Sequence, residues 1–449
     1  MPSGGRDNLL LLGRWTALKA AGGRECGSTS SHDSRDDHEN RLGKAKYWFL
    51  GILGLPAFGV AFAYTVVGTY LPVLLAELSG PAVTGILIGG EGVVALIVPV
   101  LVGGWSDSTS SSLGRRLPFV LGGAVLMVLA LLGMPLGAGS LPWIAVLLTV
   151  FFLGYFGYYT PYYALFPDFV PDAIRGRSQG IQGGFRSAGL LLALVGGGFL
   201  LGLWRPLPFA AGAVAVVAVT VALCFGLRGK VGRKRGADQP SPASGWRTDI
   251  GLVRGNPAIG YWIAADALWE GAVAALKTFV VLYFTRGLGM SLRSTATSLA
   301  LVGVAALVAA PVAGKLADRF GSRRIMQVAV WGFALGLTPT LVTTNTVFLA
   351  AIVPVAFAAV VLMTLPYTLL MRLLPERKAH GAGASLFGFA KGIGVLIGPL
   401  LAGLAITLLH RVPVGALRAT AGYAGAFGVA MVLLLASIPL LRRIEPTPH

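Results

Sequence analysis

The sequence predicts an all-α membrane protein of twelve transmembrane helices arranged as two six-helix pseudo-repeats. Three observations carry that expectation. The 449 residues are 55% hydrophobic and only 12% charged, against about 25% charged in an ordinary soluble domain. Apolar runs long enough to cross a bilayer, about 20 residues each, recur along nearly the whole chain. The two halves also repeat the same motifs in the same order. A β-barrel does not fit, because the runs are continuous rather than alternating strands of ~10 residues.

The elements follow in chain order, with ends set to within ~2–4 residues. Residues 1 to about 45 form a polar tail of mixed charge, a composition that reads as disordered. Its Leu9–Leu12 run is too short for the apolar core of a signal peptide. An N-terminal bundle at about 46–227 holds spans at roughly 47–72, 81–105, 117–137, 141–166, 179–203 and 207–227. A segment at about 228–257 reads as a cytoplasmic linker, with a basic run from Arg228 to Arg235 followed by Pro240, Ser241, Pro242 and Ser244. A C-terminal bundle at about 258–442 holds spans at roughly 258–284, 293–316, 323–342, 346–371, 382–408 and 416–441, and about 443–449 is a second tail. The 63 glycines and 26 prolines suit membrane helices better than soluble ones.

The net charge of +18 is a matter of placement. Of the 36 Lys and Arg, 28 fall in the tails and loops of one face. Arg205, Arg286, Arg293, Arg411 and Arg418 fall on the other face, and Arg186, Lys277 and Lys391 lie inside helices. This asymmetry follows the positive-inside rule and puts both termini in the cytoplasm. It gives the lipid bilayer as a partner and argues against nucleic acid, for which no basic and aromatic module is present. Two cysteines, Cys26 and Cys224, provide neither a disulfide framework nor a metal cluster.

The internal repeat is read by shifting the second half by 205 positions. Pro161 and Tyr162 then fall on Pro366 and Tyr367, Leu165 on Leu370, and Gly176, Gly183 and Gly189 on Gly381, Gly388 and Gly394. Arg186 falls on Lys391. Earlier in each half, Gly103 to Asp107 precedes Gly114-Arg115-Arg116, as Gly314 to Asp318 precedes Gly321-Ser322-Arg323-Arg324. Parallel six-helix repeats of this kind occur in transporters whose halves rock about a central site.

The G-x-x-x-D motif followed by G-R-R between the second and third spans resembles the signature loop of the major facilitator superfamily. The second copy, G-K-L-A-D-R-F-G-S-R-R, is the closer match. The first, S-D-S-T-S-S-S-L-G-R-R-L-P-F, is similar to the glycoside and sucrose cation-symporter branch, as is the stretch from Pro161 to Arg177. Ser108 to Ser112 depart from that branch, where basic residues often stand. The superfamily resemblance covers roughly residues 45–445 and implies the major facilitator fold and transport by alternating access.

Asp107 ends one helix while Arg115 and Arg116 precede the next, so each charge stands at the unfavourable pole of its own helix dipole. Asp318 with Arg323 and Arg324 repeats the arrangement. Pairing across helix ends would make these six residues a cytoplasmic latch that favours the outward-open state. A solvated loop that only sets topology is the other reading. Asp168 and Asp172 with Arg175 and Arg177, and Glu376 with Arg377, are expected to add to the latch.

Charges inside the spans carry the functional expectation, because an ionisable group near the bilayer centre costs at least ~2.5–3.5 kcal/mol. Glu91 falls mid-helix, and Asp266 and Glu270 lie four apart on one helix face. The expected order for proton coupling is Glu270, then Asp266 and Glu91; structural ion pairing is the alternative. Arg186 and Lys391, equivalent in the repeat, are candidates to bind solute oxygens or to neutralise the acids. Lys277 is expected to snorkel outward. Among the aromatics Tyr64, Tyr158, Tyr159, Tyr162, Trp262, Trp269 and Tyr367, the substrate-binding candidates are Trp269, Tyr162 and Tyr367, although Trp and Tyr also mark membrane interfaces.

The function expected is secondary active transport of a small polar solute, a sugar or glycoside, coupled to protons or Na⁺. The alternative is a proton-driven exporter of drugs or metabolites, since one fold serves both. No Walker loop, nucleophile elbow or intramembrane metal spacing is present, so neither an enzyme nor a cofactor beyond the coupling ion is expected. The chain is expected to act as a monomer in a bacterial-type inner membrane.

Overall fold

The computed structural model describes residues 48–109, 111, 113–137, 139–170, 174–228, 251–345, 350–374, 379–412 and 415–444. The chain divides into two units, residues 1–50, of which 48–50 are described and helical, and residues 51–449. The N-terminal tail and most of the linker and C-terminal tail expected from the sequence lie outside the described residues.

All regular structure among the described residues is helical, and twelve helices are long and apolar enough to cross a membrane. They are α1 (Pro56–Leu78), α2 (Pro81–Ser108), α3 (Leu117–Leu136), α4 (Leu141–Phe169), α5 (Arg175–Leu203) and α6 (Leu207–Leu227). The second half holds α7 (Pro257–Leu282, prolonged by a π-turn over Tyr283–Gly287), α8 (Leu292–Phe320), α9 (Ser322–Val342), α10 (Ile352–Leu373), α11 (Ala379–Leu409) and α12 (Gly425–Arg443).

Proline stands at the first or second position of α1 to α4, α6 and α7, where its missing N–H is no loss. Ser140, Asn256 and Ser291 accept backbone N–H groups at the starts of α4, α7 and α8. Pro72 lies inside α1 without ending it, so that helix runs past the expected end to Leu78.

The last expected span differs more. Residues Gly415–Ala419 form a single turn, and the chain then passes through Ala421 at φ 49° and Gly422 at φ 84° before α12 begins. Gly422 lies against α11, where a Cβ would stand 2.6 Å from the Ile406 carbonyl oxygen. The Thr420 hydroxyl accepts the Ala424 N–H at 3.1 Å and holds the new start.

Packing repeats between the halves. α1 packs on α5 and α6, α2 on α4, and α3 on α4 and α6. Six positions later, α7 packs on α11 and α12, α8 on α10, and α9 on α10 and α12. The halves meet through α2 with α11, α5 with α8 and α1 with α7, a set that exchanging the halves leaves unchanged. This is the pseudo-two-fold that the repeated motifs imply.

Glycine sets the α2–α11 seam. A Cβ on Gly85 would collide with the Pro399 carbonyl, one on Gly89 would come 2.8 Å from that of Leu396, and one on Gly92 would meet Gly392. Membrane helices lack a hydrophobic force between them and associate by such close backbone approach.

Adding one methyl group by Gly92→Ala would place a Cβ 2.6 Å from Leu396 Cβ, and overpacking of this kind costs about 1–3 kcal/mol. Gly90→Ala meets nothing within 4 Å and, with the better helix propensity of Ala, does not destabilise the protein. Thermal unfolding of both variants in detergent checks the contrast, and equal midpoints would show a loosely packed seam.

Candidate functional site

A cavity of about 340 Å³ lies between the halves, walled by α1, α4 and α5 on one side and by α7 to α10 and α12 on the other. Helical periodicity selects its lining. On α1 it takes Ala57, Val60, Ala61, Tyr64 and Thr65; on α4 it takes Tyr155, Tyr159 and Tyr163, each four residues on. The C-terminal wall, including Leu276, Val280, Phe333, Val355 and Met363, is mostly apolar.

The N-terminal wall is a row of tyrosines. Tyr64 stacks on Tyr155 with ring centroids 4.7 Å apart, Tyr155 on Tyr159 at 5.5 Å, and Tyr159 lies 4.1 Å from Tyr163. Arg186 of α5 opens into the cavity and is in electrostatic range of Tyr159, Tyr163 and Tyr155. From the other half, the Lys277 ammonium sits 3.5 Å above the centroid of the Tyr64 ring, a cation–π contact across the interface. The Tyr64 hydroxyl donates to Glu91 Oε1 at 2.6 Å. A chain of contacts thus runs from Lys277 through Tyr64 to Glu91.

Behind this wall lie the other charges. Glu91 is buried and in electrostatic range of Lys277, Lys391 and Glu270. Glu270 Oε1 stands 3.9 Å from the Lys391 Nζ, a loose pair within the second half. Asp266 is fully buried, and neither of its carboxylate oxygens has a hydrogen-bond partner among the described residues. An unsatisfied buried polar group is rare and carries a desolvation cost.

The expected coupling residues Glu270, Asp266 and Glu91 are therefore all buried, and none lines the cavity wall. Of the expected substrate residues, Arg186 and Tyr162 line it, the latter with its hydroxyl donating to the Leu53 carbonyl at 2.9 Å. Trp269 lies in the core of the second half, donating to Ser437 Oγ at 2.8 Å. Tyr367 is exposed and set edge-on to Phe387, outside the cavity lining, and Lys391 is engaged with Glu270. Trp262 and Tyr158 are also core residues. Lys277 does not snorkel outward: it turns to the centre, as its place seven residues after Glu270 on the same face allows. The reading missed Tyr155 and Tyr163, although their spacing of four with Tyr159 in α4 is visible in the sequence.

The two membrane faces differ. At the face bearing the connections 79–80, 204–206 and 288–291, the halves are joined. Arg286 Nη1 donates to the Ala76 carbonyl at 2.8 Å, and the Ala82 N–H donates to Thr407 Oγ1 at 3.2 Å. Nearby, Arg205 forks onto both oxygens of Glu77 at 2.7 and 3.0 Å.

The expected latch residues lie on the opposite face, where α1 begins and α12 ends, and the following contacts among them stay within a half. Arg116 Nε bonds Asp168 Oδ2 at 2.7 Å, with Arg115 at 3.9 Å from the same carboxylate. Arg323 donates to the Arg442 carbonyl at 2.6 Å, at the negative end of α12. Asp318 is exposed and forms no ion pair among the described residues, and Arg324 is likewise exposed. The side chains of Asp107, Arg175 and Arg177, and the whole of Asp172, Glu376 and Arg377, lie outside the described residues.

The model of the Major Facilitator Superfamily matches residues 53–309 and 271–449. Among solved structures, a bacterial homologue of the human lysosomal transporter Spinster, crystallised inward-facing and occupied, superposes with a TM-score of 0.71 at 15% identity, over 89% of this chain and 95% of that one. The nucleoside transporter NupG gives 0.70 at 13% identity, over 88% and 98%. A Streptomyces coelicolor protein named Probable transporter SCO4007 is 40% identical over 80 residues, 18% of this chain and 19% of that relative's length.

The contacts of Tyr64 separate by substitution. Tyr64→Phe keeps the ring beneath Lys277 but removes the donor to Glu91, and loss of a hydrogen bond to a charged group costs about 1.5–3 kcal/mol. Tyr64→Leu also removes the cation–π contact, worth roughly a further 1–2 kcal/mol. Unfolding midpoints ranked wild type, Phe, Leu are expected; a Phe variant as stable as wild type would show that Glu91 does not depend on this bond.

Proposed function

The chain belongs to the major facilitator superfamily of transporters, and from that premise we propose that it is a secondary active transporter that moves a small organic solute by alternating access. The cavity between the pseudo-symmetric halves carries the reading. Its volume of about 340 Å³ falls within the roughly 300–1,000 Å³ of small-molecule pockets. At the face of the connections 79–80, 204–206 and 288–291 the halves are joined by Arg286 on the Ala76 carbonyl and by Ala82 on Thr407. With the Lys- and Arg-rich face cytoplasmic, in a cell membrane with both termini inside, this is an inward-open state. The latch then stands released, and the pairs Arg116 with Asp168 and Arg323 with the Arg442 carbonyl each lie within one half.

Of the two solute readings, the apolar C-terminal wall favours an amphipathic metabolite or drug. A sugar or glycoside remains the second reading, supported by the tyrosine row. The coupling ion in this reading is a proton, with Na⁺ as the other candidate. The order of coupling residues now places Asp266 before Glu270 and Glu91. Glu91 has the Tyr64 hydroxyl and Glu270 has Lys391, whereas Asp266 has no hydrogen-bond partner among the described residues. A charge left unpaired in the interior is strongly destabilising, so gain and loss of a proton there would reweight the two states.

The test is solute-induced proton flux in proteoliposomes, screening sugars and glycosides beside amphipathic aromatic compounds, with Asp266→Asn and Glu270→Gln alongside. Amphipathic compounds are expected to drive proton movement. Asp266→Asn should retain solute exchange and lose gradient-driven accumulation. A response to sugars alone would move the assignment to sugar symport. A response to Na⁺ and not to pH would exclude the proton, and accumulation unimpaired in Asp266→Asn would remove that residue from coupling.

A further inference from the structure

We propose that the cavity recognises an organic anion, its carboxylate or phosphate head held between Arg186 of the first half and Lys277 of the second, its apolar body against the C-terminal wall. The inference rests on the reading of the cavity as the transport site and names its class of solute.

The charge of the lining is one-sided. Among the described residues, Arg186 and Lys277 are its charged side chains, and no Asp or Glu lines it. Neither cation has a carboxylate within ion-pair distance among the described residues. The Lys277 ammonium rests on the Tyr64 ring. Of the buried acids, Glu91 accepts the Tyr64 hydroxyl and Glu270 faces Lys391. Arg186 and Lys277 are in electrostatic range of each other. Glu91 and Glu270 act on these cations from behind the wall, and an anion placed in the cavity would meet both cations directly, with little screening between apolar walls.

The surroundings suit the same ligand. Arg186 offers a planar fork of N–H donors that matches carboxylate and phosphate, and the neighbouring Tyr159 and Tyr163 add hydroxyls. Leu276, Val280, Phe333, Val355 and Met363 provide an apolar surface for the rest of the molecule. A cationic solute would face both positive charges, and a neutral one would leave both without a partner.

Four probes with one ring system and different heads test the proposal: naphthalene-2-carboxylate, 2-naphthyl phosphate, naphthalene-2-carboxamide and 2-naphthylmethylamine. Their binding to the purified full chain in detergent is measured by equilibrium dialysis. At least one of the two acids is expected to bind about tenfold or more tighter than the amide, and the amine weakest. Comparing carboxylate with phosphate identifies the head. Arg186→Gln and Lys277→Gln should each lower acid affinity about tenfold while leaving the amide unchanged, with Arg186→Lys between. The wild-type ranking stands by itself if a variant does not fold. Equal affinity for acids and amide overturns anion recognition and leaves the cavity as a solute site. Binding of none of the probes overturns the anion assignment alone when the flux assay detects transport, and both readings when it does not.

Discussion

Ionisable side chains at the middle of a lipid-facing bundle impose the constraint on which the rest of this structure depends. Glu91, Arg186, Asp266, Glu270, Lys277 and Lys391 all lie on spanning helices, where a charge facing lipid would be costly. They are tolerated because each points to the interface between halves or to its immediate backing. That placement in turn requires the halves to approach closely elsewhere. The glycines of α2 and α11 permit such an approach beside the charged centre, and the Lys277–Tyr64 contact bridges α7 and α1 where those helices meet.

The repeat is symmetric in packing and asymmetric in chemistry. Arg186 and Lys391 occupy equivalent places, yet Arg186 faces the cavity with tyrosines around it while Lys391 faces Glu270. The difference comes from neighbours: α7 carries acids at 266 and 270, whereas α1 has Tyr64 and no acidic side chain in its central turns. Duplication thus fixes where a cation can stand, and the sequences of α1 and α7 decide what it meets.

The twelve spans were legible because hydropathy measures the average of a segment, and most were bounded by proline, glycine or a basic pair. The buried acids were legible for the same energetic reason: an acid inside an apolar run has few tolerable places. Which face a helix turns to the centre was harder to read. Trp269 and Lys277 stand on the same helix, seven and eight residues from Trp262 and Trp269 respectively, yet one enters the core of its half and the other crosses to Tyr64. Window averages cannot separate those directions. The break before α12 was missed because Ala421 and Gly422 lie in a run of mostly apolar average, and only the close approach of Gly422 to α11 shows why the helix must stop.

On the proposed reading, the distribution of charge between the halves links solute to driving ion. Arg186 and Lys277 belong to different halves, so an anion between them is bound well only while the two are near each other; binding and closure then favour one another. Arg186 is also in electrostatic range of Glu270, and Glu270 lies one turn from Asp266. An anion neutralised against Arg186 therefore alters the field at the acids behind it. A proton taken up there restores the net charge of the moving centre, and an anion carried with one proton crosses without adding charge to the low-dielectric interior. Because binding free energies are reciprocal, an anion that strengthens proton binding must be strengthened by it to the same extent. The separation of a cationic cavity from an acidic backing is thus sufficient, in principle, for coupling without any direct contact between solute and proton.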